Sequence, residues 1–265
     1  MNKPVVLFDL DGTLTPPRGA IDDETAQCIL GLMLSTNARV GIVTGSDLPY
    51  VLQQLGEWSD RLGAVGLEVF SCNGTKHFRH FNSEWLLYTG AQDMREVLGA
   101  EAWRTLITTL HNAQLRVMRE HSAMPLTGNF ISYRGSTLNW CPIGRDASEP
   151  DRQEFERLDS ERHIRILAKD WLTDCLELSI PGKLQIVLGG NTSFDIFVRG
   201  WDKTYVLKYL DDRECWFVGD RCREGGNDHT IYKALEATGR AFETMGPSHT
   251  RNIIGDIIER INKRC

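Results

Sequence analysis

Two aspartates, Asp9 and Asp11, stand at alternate positions after the apolar run Val5-Val6-Leu7-Phe8 and before Gly12-Thr13-Leu14-Thr15-Pro16-Pro17-Arg18. The run predicts a strand buried on both faces. Gly12 predicts a turn, and the two prolines stop a helix from starting there. Groups at the C-terminal end of a strand in an open α/β sheet lie where such sheets bind ligands. Asp9 is suited to attack phosphorus as a nucleophile, given a cation to offset the repulsion between its charge and the phosphate. Asp11 reaches the same space if the turn curls back. From there it can give a proton to a leaving oxygen or take one from an attacking hydroxyl. Two solvated acids at a turn is the plainer reading of Asp-x-Asp alone; the buried strand that feeds DLDGTLT weighs against it.

Three further segments offer partners. Thr44 ends the apolar stretch Val40-Gly41-Ile42-Val43, and its hydroxyl can donate to a phosphoryl oxygen. Lys203 can place an ammonium beside the nucleophile and the transferring group. Asp220 follows Cys215-Trp216-Phe217-Val218-Gly219 and offers a carboxylate to magnesium; Asp228, in Gly225-Gly226-Asn227-Asp228-His229, can ligate directly or through water. Taken singly, Thr44 and Ser46 are also helix caps, Lys203 a surface lysine and Asp220 a turn residue. Acids or hydroxyls together at the ends of three separate strands favour a site.

The elements that must position these residues follow from hydrophobic spacing. A helix with acids in its first turn is expected around Ile21, Ile29, Leu30, Met33 and Leu34, and a second after Asp47 through Val51, Leu52 and Leu55 to Gly56. A third strand is expected from Ala64 to Phe70. Strand alternating with helix is the rhythm of a doubly wound parallel sheet. The rhythm then breaks: a long helical stretch is expected from about Ser83 to Glu120, a hairpin of Phe130–Arg134 with Thr137–Trp140, helix from Glu149 to Glu177, and a strand pair around Gly189-Gly190. It returns with a helix opening at Trp201-Asp202-Lys203, the strand before Asp220, a helix near Ile231 to Leu235, and a last helix carrying Ile253, Ile254, Ile257, Ile258 and Ile261. The fold class is therefore α/β, a doubly wound parallel-sheet core of residues 1–82 and 200–265 with an inserted α+β domain, 83–199.

A chain of 265 residues with net charge -6 is not expected to take nucleic acid as a general partner. No hydrophobic leader and no membrane-spanning run is read from it. The seven cysteines, Cys28, Cys72, Cys141, Cys175, Cys215, Cys222 and Cys265, form no CxxC pair and read as reduced thiols of a cytoplasmic protein. On the inserted domain, Arg134 and Arg145 suit bidentate contact with a phosphate, and Arg18 lies beside the Asp9 loop in the core. Asn191, Ser193 and Asp195 offer groups to sugar hydroxyls. Arg134 also reads as an exposed cross-strand partner, Arg145 as a loop charge and Asp195 as a strand-edge charge.

The order DxDGT, then Thr-Gly-Ser, then lysine, then GD…GGND resembles the four motifs of the haloacid dehalogenase superfamily, in which an insert between the second and third motifs is a cap that closes over the site. DLDGTLTPPR, YRGSTLNWCPIGR, GGNTSFDIF with GWDK, and GDRCREGGNDH resemble, more narrowly, the eukaryotic-type phosphomannomutases. That resemblance implies that Asp9 is the phosphorylated nucleophile and Asp11 the acid/base, and that Asp220 binds Mg2+ with Asp9 and the Asp11 carbonyl. It implies that Arg18, Arg134, Arg145, Ser193 and Asp195 bind the hexose phosphate. It also implies interconversion of mannose 6-phosphate and mannose 1-phosphate through an aspartyl-phosphate and a hexose 1,6-bisphosphate, the latter also an activator, and a homodimer formed through the cap. A sugar-phosphate phosphatase using the same aspartyl-phosphate is the enzymatic alternative, and a sugar-phosphate sensor the non-catalytic one. The sequence departs from the family at Leu126-Thr127-Gly128, where a further substrate arginine is usual; at Thr44-Gly45-Ser46, which stands for a glycine-rich second motif; and at Lys233-Ala234-Leu235-Glu236, which does not reproduce a second cation loop.

Overall fold

The computed structural model describes residues 3–210 and 214–263; Cys265, counted above among the thiols, lies outside them, and the other six cysteines are free. The chain divides into two compact units, Met1–Ala91 with Trp201–Cys265, and Gln92–Gly200.

The first unit is built on a seven-stranded sheet in the order β11-β10-β1-β2-β3-β4-β5. Its strands are β1 (Val5–Phe8), β2 (Arg39–Val43), β3 (Glu68–Ser71), β4 (Lys76–Phe81), β5 (Glu84–Gly90), β10 (Cys215–Gly219) and β11 (Ala241–Glu243). β1 is wholly buried and pairs in parallel with both β2 and β10. Strand order runs outward from β1 in both directions, so the switch point of the sheet lies at β1, where Asp9 leaves it. β4 and β5 close one edge as an antiparallel hairpin. The helices are α1 (Asp23–Thr36), α2 (Leu48–Leu55), α3 (Trp58–Val65), α8 (His229–Glu236) and α9 (Pro247–Asn262). Asp22 and Asp47 cap α1 and α2, their side chains accepting the backbone N–H of Thr25 and of Tyr50. The five isoleucines of α9 join β1, β2 and α1 in one apolar cluster, Ile258 at its margin.

The second unit carries a four-stranded antiparallel sheet, β6-β7-β9-β8, with β6 (Ile131–Tyr133), β7 (Thr137–Trp140), β8 (Leu184–Gly189) and β9 (Ser193–Val198). Its helices are α4 (Met94–Leu98), α5 (Ala100–Glu120), α6 (Glu149–Arg162) and α7 (Ile164–Ser179).

Four expectations are corrected. Residues 84–90 are strand β5 of the first unit, not the start of a helix. Ala64 and Val65 end helix α3, which Gly66 closes in a left-handed conformation at φ 110, so β3 starts only at Glu68. Leu34 is 70% exposed and does not belong to the buried face of α1. Lys203–Tyr209 is a 3₁₀ segment rather than an α-helix. Among the described residues no helix is long and apolar enough to cross a membrane.

One polar cluster ties the edge hairpin to the parallel strands. Glu68 accepts a bidentate pair from Arg39 at 2.9 and 3.0 Å, a bond from Arg79 at 3.1 Å, and pairs with His77 Nε2 at 2.6 Å. Burial alone would raise the Glu68 carboxyl, but the hydrogen bonds from His77 and Arg39 and the charges of Arg39 and Arg79 hold it at about 2. A depressed carboxyl contributes stability that is present above the unfolded value of 4.5 and lost as pH falls toward 2. That gap is worth about 3 kcal/mol. Glu68→Gln is therefore expected to lower the urea midpoint at pH 7 and to flatten the acid limb between pH 4.5 and 2. An acid limb identical to that of the wild type would remove Glu68 from its cause.

Candidate active site

Asp9 leaves β1 with its backbone N–H on the Val218 carbonyl at 2.9 Å, which fixes the carboxyl beside the end of β10. It is 4% exposed. Lys203, wholly buried at the start of its 3₁₀ segment, donates to Asp9 Oδ1 and, at 2.5 Å, to Asp228 Oδ1. The other oxygen of Asp228 accepts the Arg221 N–H at 3.0 Å. Asp228 thus holds both the lysine and the loop that follows Asp220.

Asp9, Asp220 and Asp228 each offer an oxygen within 4.8 Å of one another. Burial, and then the Asp228 charge, push the Asp9 carboxyl up against the pull of Lys203. Burial would lower the Lys203 ammonium, but the charges of Asp228 and Asp9 more than offset it and hold the group protonated. Asp220 is raised to about 6, first by burial and then by Asp228, with Arg221 and Lys203 opposing. One ammonium does not offset three acids, and a bound cation would favour the ionised forms that burial and mutual repulsion disfavour.

The residues present fit magnesium. The donors are all oxygens, as a hard cation requires. Asp220 Oδ1 is buried and has no hydrogen-bond partner among the described residues. Two glycines make room for the acids: a Cβ on Gly12, which sits at φ +78, would stand 2.3 Å from Asp220 Oδ2, and one on Gly219 would stand 2.6 Å from Asp228 Oδ2.

The Asp11 carboxylate is not one of the three clustered acids and has partners of its own. Its Oδ1 accepts the Arg18 N–H at 2.7 Å, the Tyr50 hydroxyl at 2.9 Å and the Gln54 amide at 2.9 Å. Arg18, expected as a phosphate ligand, meets Asp11 through its backbone at φ 60, and the residue is exposed. Thr44 is 3% exposed, and its Oγ1 accepts the Ser46 N–H at 3.2 Å, which leaves the hydroxyl proton to donate elsewhere. The Asn73 N–H on the Thr44 carbonyl at 2.8 Å and the Cys72 N–H on the Ser46 carbonyl at 2.9 Å pin this loop. Cys72 and Asn73 adopt positive φ to do so.

In the second unit the other expected residues meet around Asn139, which is 2% exposed. Its amide nitrogen donates to Asp195 Oδ1 at 2.8 Å and Ser193 Oγ at 3.1 Å, and its oxygen accepts from Arg145 Nη1 at 3.0 Å. Arg134 Nη1 lies 3.8 Å from Asp195 Oδ1. The Ser193 hydroxyl donates to the Gly189 carbonyl at 2.7 Å, which leaves its oxygen as an acceptor. Thr127 is exposed, and its hydroxyl donates to the Ile143 carbonyl at 2.9 Å. Tyr50, Gln54 and Asn139 are absent from the sequence-based set. Asn139 alone had a local signal, as an amide between Leu138 and Trp140 in β7, whose four residues are all buried.

Residues 30–260 match the family model described as eukaryotic phosphomannomutase. A protein of Dictyostelium discoideum named phosphomannomutase 1 is 34% identical over 256 residues, 96% of this chain and 96% of that protein. A phosphomannomutase of Dendrobium officinale is 36% identical over 236 residues, 89% of this chain and 87% of its own. The architecture is shared more widely. An N-terminally truncated IMP-nucleotidase of Plasmodium falciparum matches with a TM-score of 0.65 at 14% identity, over 96% of this chain and 70% of that one.

Proposed function

We propose that this chain, which belongs to the eukaryotic phosphomannomutase family of the haloacid dehalogenase superfamily, is a magnesium-dependent mutase that interconverts mannose 6-phosphate and mannose 1-phosphate. The observation that supports this most is the Asp9–Lys203–Asp228 cluster with Asp220 beside it: a buried carboxylate at a strand end, held by an ammonium, next to an acid with an oxygen that has no hydrogen-bond partner among the described residues.

In the proposed mechanism Asp9 enters the cycle phosphorylated, having taken its phosphoryl group from hexose 1,6-bisphosphate. Asp11 takes the proton from the free hydroxyl of the bound hexose monophosphate, and that oxygen displaces Asp9 from phosphorus, which gives hexose 1,6-bisphosphate. The bisphosphate turns, the Asp9 carboxylate attacks the phosphorus at its other end, the P–O bond to the sugar breaks, and Asp11 gives its proton to the departing oxygen, which leaves the isomeric monophosphate and phosphorylated Asp9. Lys203 keeps Asp9 oriented, and its charge opposes the negative charge gathering on the transferring group. Thr44 donates its hydroxyl to a phosphoryl oxygen. Asp9, Asp220 and the Asp11 carbonyl would hold Mg2+, Asp228 directly or through water, and the ion would supply charge neutralisation at the phosphoryl oxygens. Arg18 belongs to the proposed substrate set, and in the second unit Arg134, Arg145, Ser193 and Asp195 would take the hexose phosphate. Hexose 1,6-bisphosphate as activator, a homodimer through the inserted unit and a cytoplasmic location are part of the same proposal.

Thr127 gives the phosphatase reading its one specific support. The hydroxyl bound to Ile143 O supplies no charge where the family carries an arginine, so the grip on a second phosphate is weaker. The test is incubation with mannose 1-phosphate, a trace of hexose 1,6-bisphosphate and Mg2+, followed by phosphorus NMR. Mannose 6-phosphate is expected as the main product, with a minor signal of free phosphate, and EDTA is expected to stop both. Stoichiometric phosphate without isomer would replace the mutase by the phosphatase.

A further inference from the structure

We infer that Tyr50 and Gln54 are positioning residues that select which oxygen of Asp11 exchanges protons. The inference rests on the reading of Asp11 as the acid/base. Three donors converge on Asp11 Oδ1, namely the Arg18 N–H, the Tyr50 hydroxyl and the Gln54 amide, at 2.7, 2.9 and 2.9 Å. Among the described residues no donor is recorded on Oδ2. A carboxylate free to rotate would present either oxygen; one whose Oδ1 is saturated presents Oδ2.

The amide orientation follows from chemistry. Gln54 is 4% exposed, and its Oε1 accepts the Thr15 hydroxyl at 2.6 Å. Reversing the amide would set its oxygen against the Asp11 carboxylate, an acceptor against an acceptor, so the nitrogen must face Asp11. Tyr50 and Gln54 are one helical turn apart on α2, whose cap Asp47 follows the Thr44-Gly45-Ser46 loop directly. The helix therefore carries both donors on the face that meets the DxDGT turn. Gln54 is also joined to the loop that follows that turn, by its backbone carbonyl, which accepts the Ile21 N–H at 2.9 Å. Position 50 needs a hydroxyl on a rigid ring for this role, a requirement that no general acid/base motif contains.

Tyr50→Phe removes the hydroxyl and keeps the ring; Gln54→Met removes the amide and keeps the length. The full chain with Mg2+ is assayed with mannose 1-phosphate plus a trace of hexose 1,6-bisphosphate. Separately, phosphorylation of Asp9 by acetyl phosphate is followed by mass spectrometry after acid quench. Acetate leaves without needing a proton, whereas a sugar alkoxide needs one, so only the second reaction depends on the aim of Asp11. For Tyr50→Phe we expect kcat on the sugar phosphate to fall about tenfold, a fraction of the 10²–10⁴ of a whole general acid. KM should stay unchanged, and so should the rate with acetyl phosphate. Gln54→Met should follow the same pattern, with a melting temperature that reports any loss of packing. An equal slowing with both phosphate donors, or an unchanged kcat in Tyr50→Phe, overturns the inference. A wild type that acetyl phosphate labels but that turns over no sugar phosphate overturns the acid/base reading beneath it instead.

Discussion

Asp9→Asn is expected to abolish turnover, by about 10⁴-fold or more as for other removed nucleophiles, while the protein stays folded. The amide oxygen can still accept the bond from Lys203, so the lysine keeps an acceptor at that end and Asp228 at the other. The substitution also removes a carboxyl that burial and the Asp228 charge already disfavour in its ionised form. Thermal unfolding should therefore occur at the wild-type temperature or above it when no divalent cation is present. The amide cannot form an acyl phosphate and is a poor ligand for a hard cation. Acid-quenched protein exposed to labelled substrate should carry phosphate in the wild type and none in the variant. A folded Asp9→Asn protein with normal turnover would sink the covalent mechanism.

The parts of this site that were legible in the sequence are those in which one short segment carries both the structural cue and the chemistry. Val5–Phe8 reads as a buried strand because every residue is apolar, and the acids that follow must then sit at its end. The same holds for Gly219-Asp220 after Cys215–Val218. Lys203 is different, since nothing local marks a lysine as wholly buried; the chemistry of its ammonium made it a candidate, with a surface lysine as the plainer reading, and the pairing with Asp9 and Asp228 supplies the reason for its burial. Tyr50 and Gln54 were hidden for the opposite reason. On α2 they look like any polar positions beside Val51 and Leu55, and their partner Asp11 is 39 and 43 residues away in the chain.

The fold was misread where exposure removes periodicity. β5 is an edge strand on which Leu86, Leu87 and Tyr88 are consecutive and all exposed, 46%, 46% and 59%, so neither the period of two nor a buried run marks it. Apolar residues without alternation merge with the helical pattern that begins at Met94. Ala64 to Phe70 reads as one strand because Ala64, Val65, Leu67, Val69 and Phe70 form an almost continuous apolar stretch, interrupted by Gly66 and Glu68 alone. The left-handed φ of Gly66 decides the boundary, and that property is not visible in composition.

Lys203→Met is expected to cost about 3–5 kcal/mol of stability in the absence of divalent cations, the range for breaking a buried ion pair, together with loss of activity. Methionine fills most of the space of the lysine stem, so packing alone does not account for such a loss. What remains is two buried carboxylates, Asp9 and Asp228, facing each other without the cation that both now share. The second substitution that separates charge from packing is Asp228→Asn. Its oxygen can keep the bond from the Arg221 N–H, and the amide carries no charge to repel Asp9. In the Lys203→Met background, Asp228→Asn should recover most of the lost stability in urea denaturation with EDTA present. It should not recover turnover, because the ammonium that steadies the nucleophile and the transferring phosphoryl group is still missing. Single and double variants form a cycle whose coupling reads the Lys203–Asp228 interaction directly. If Lys203→Met unfolds within about 1 kcal/mol of the wild type, the median worth of an exposed pair, the lysine is not the counter-ion of a buried acid pair, and the electrostatic basis proposed for Asp9 as nucleophile goes with it.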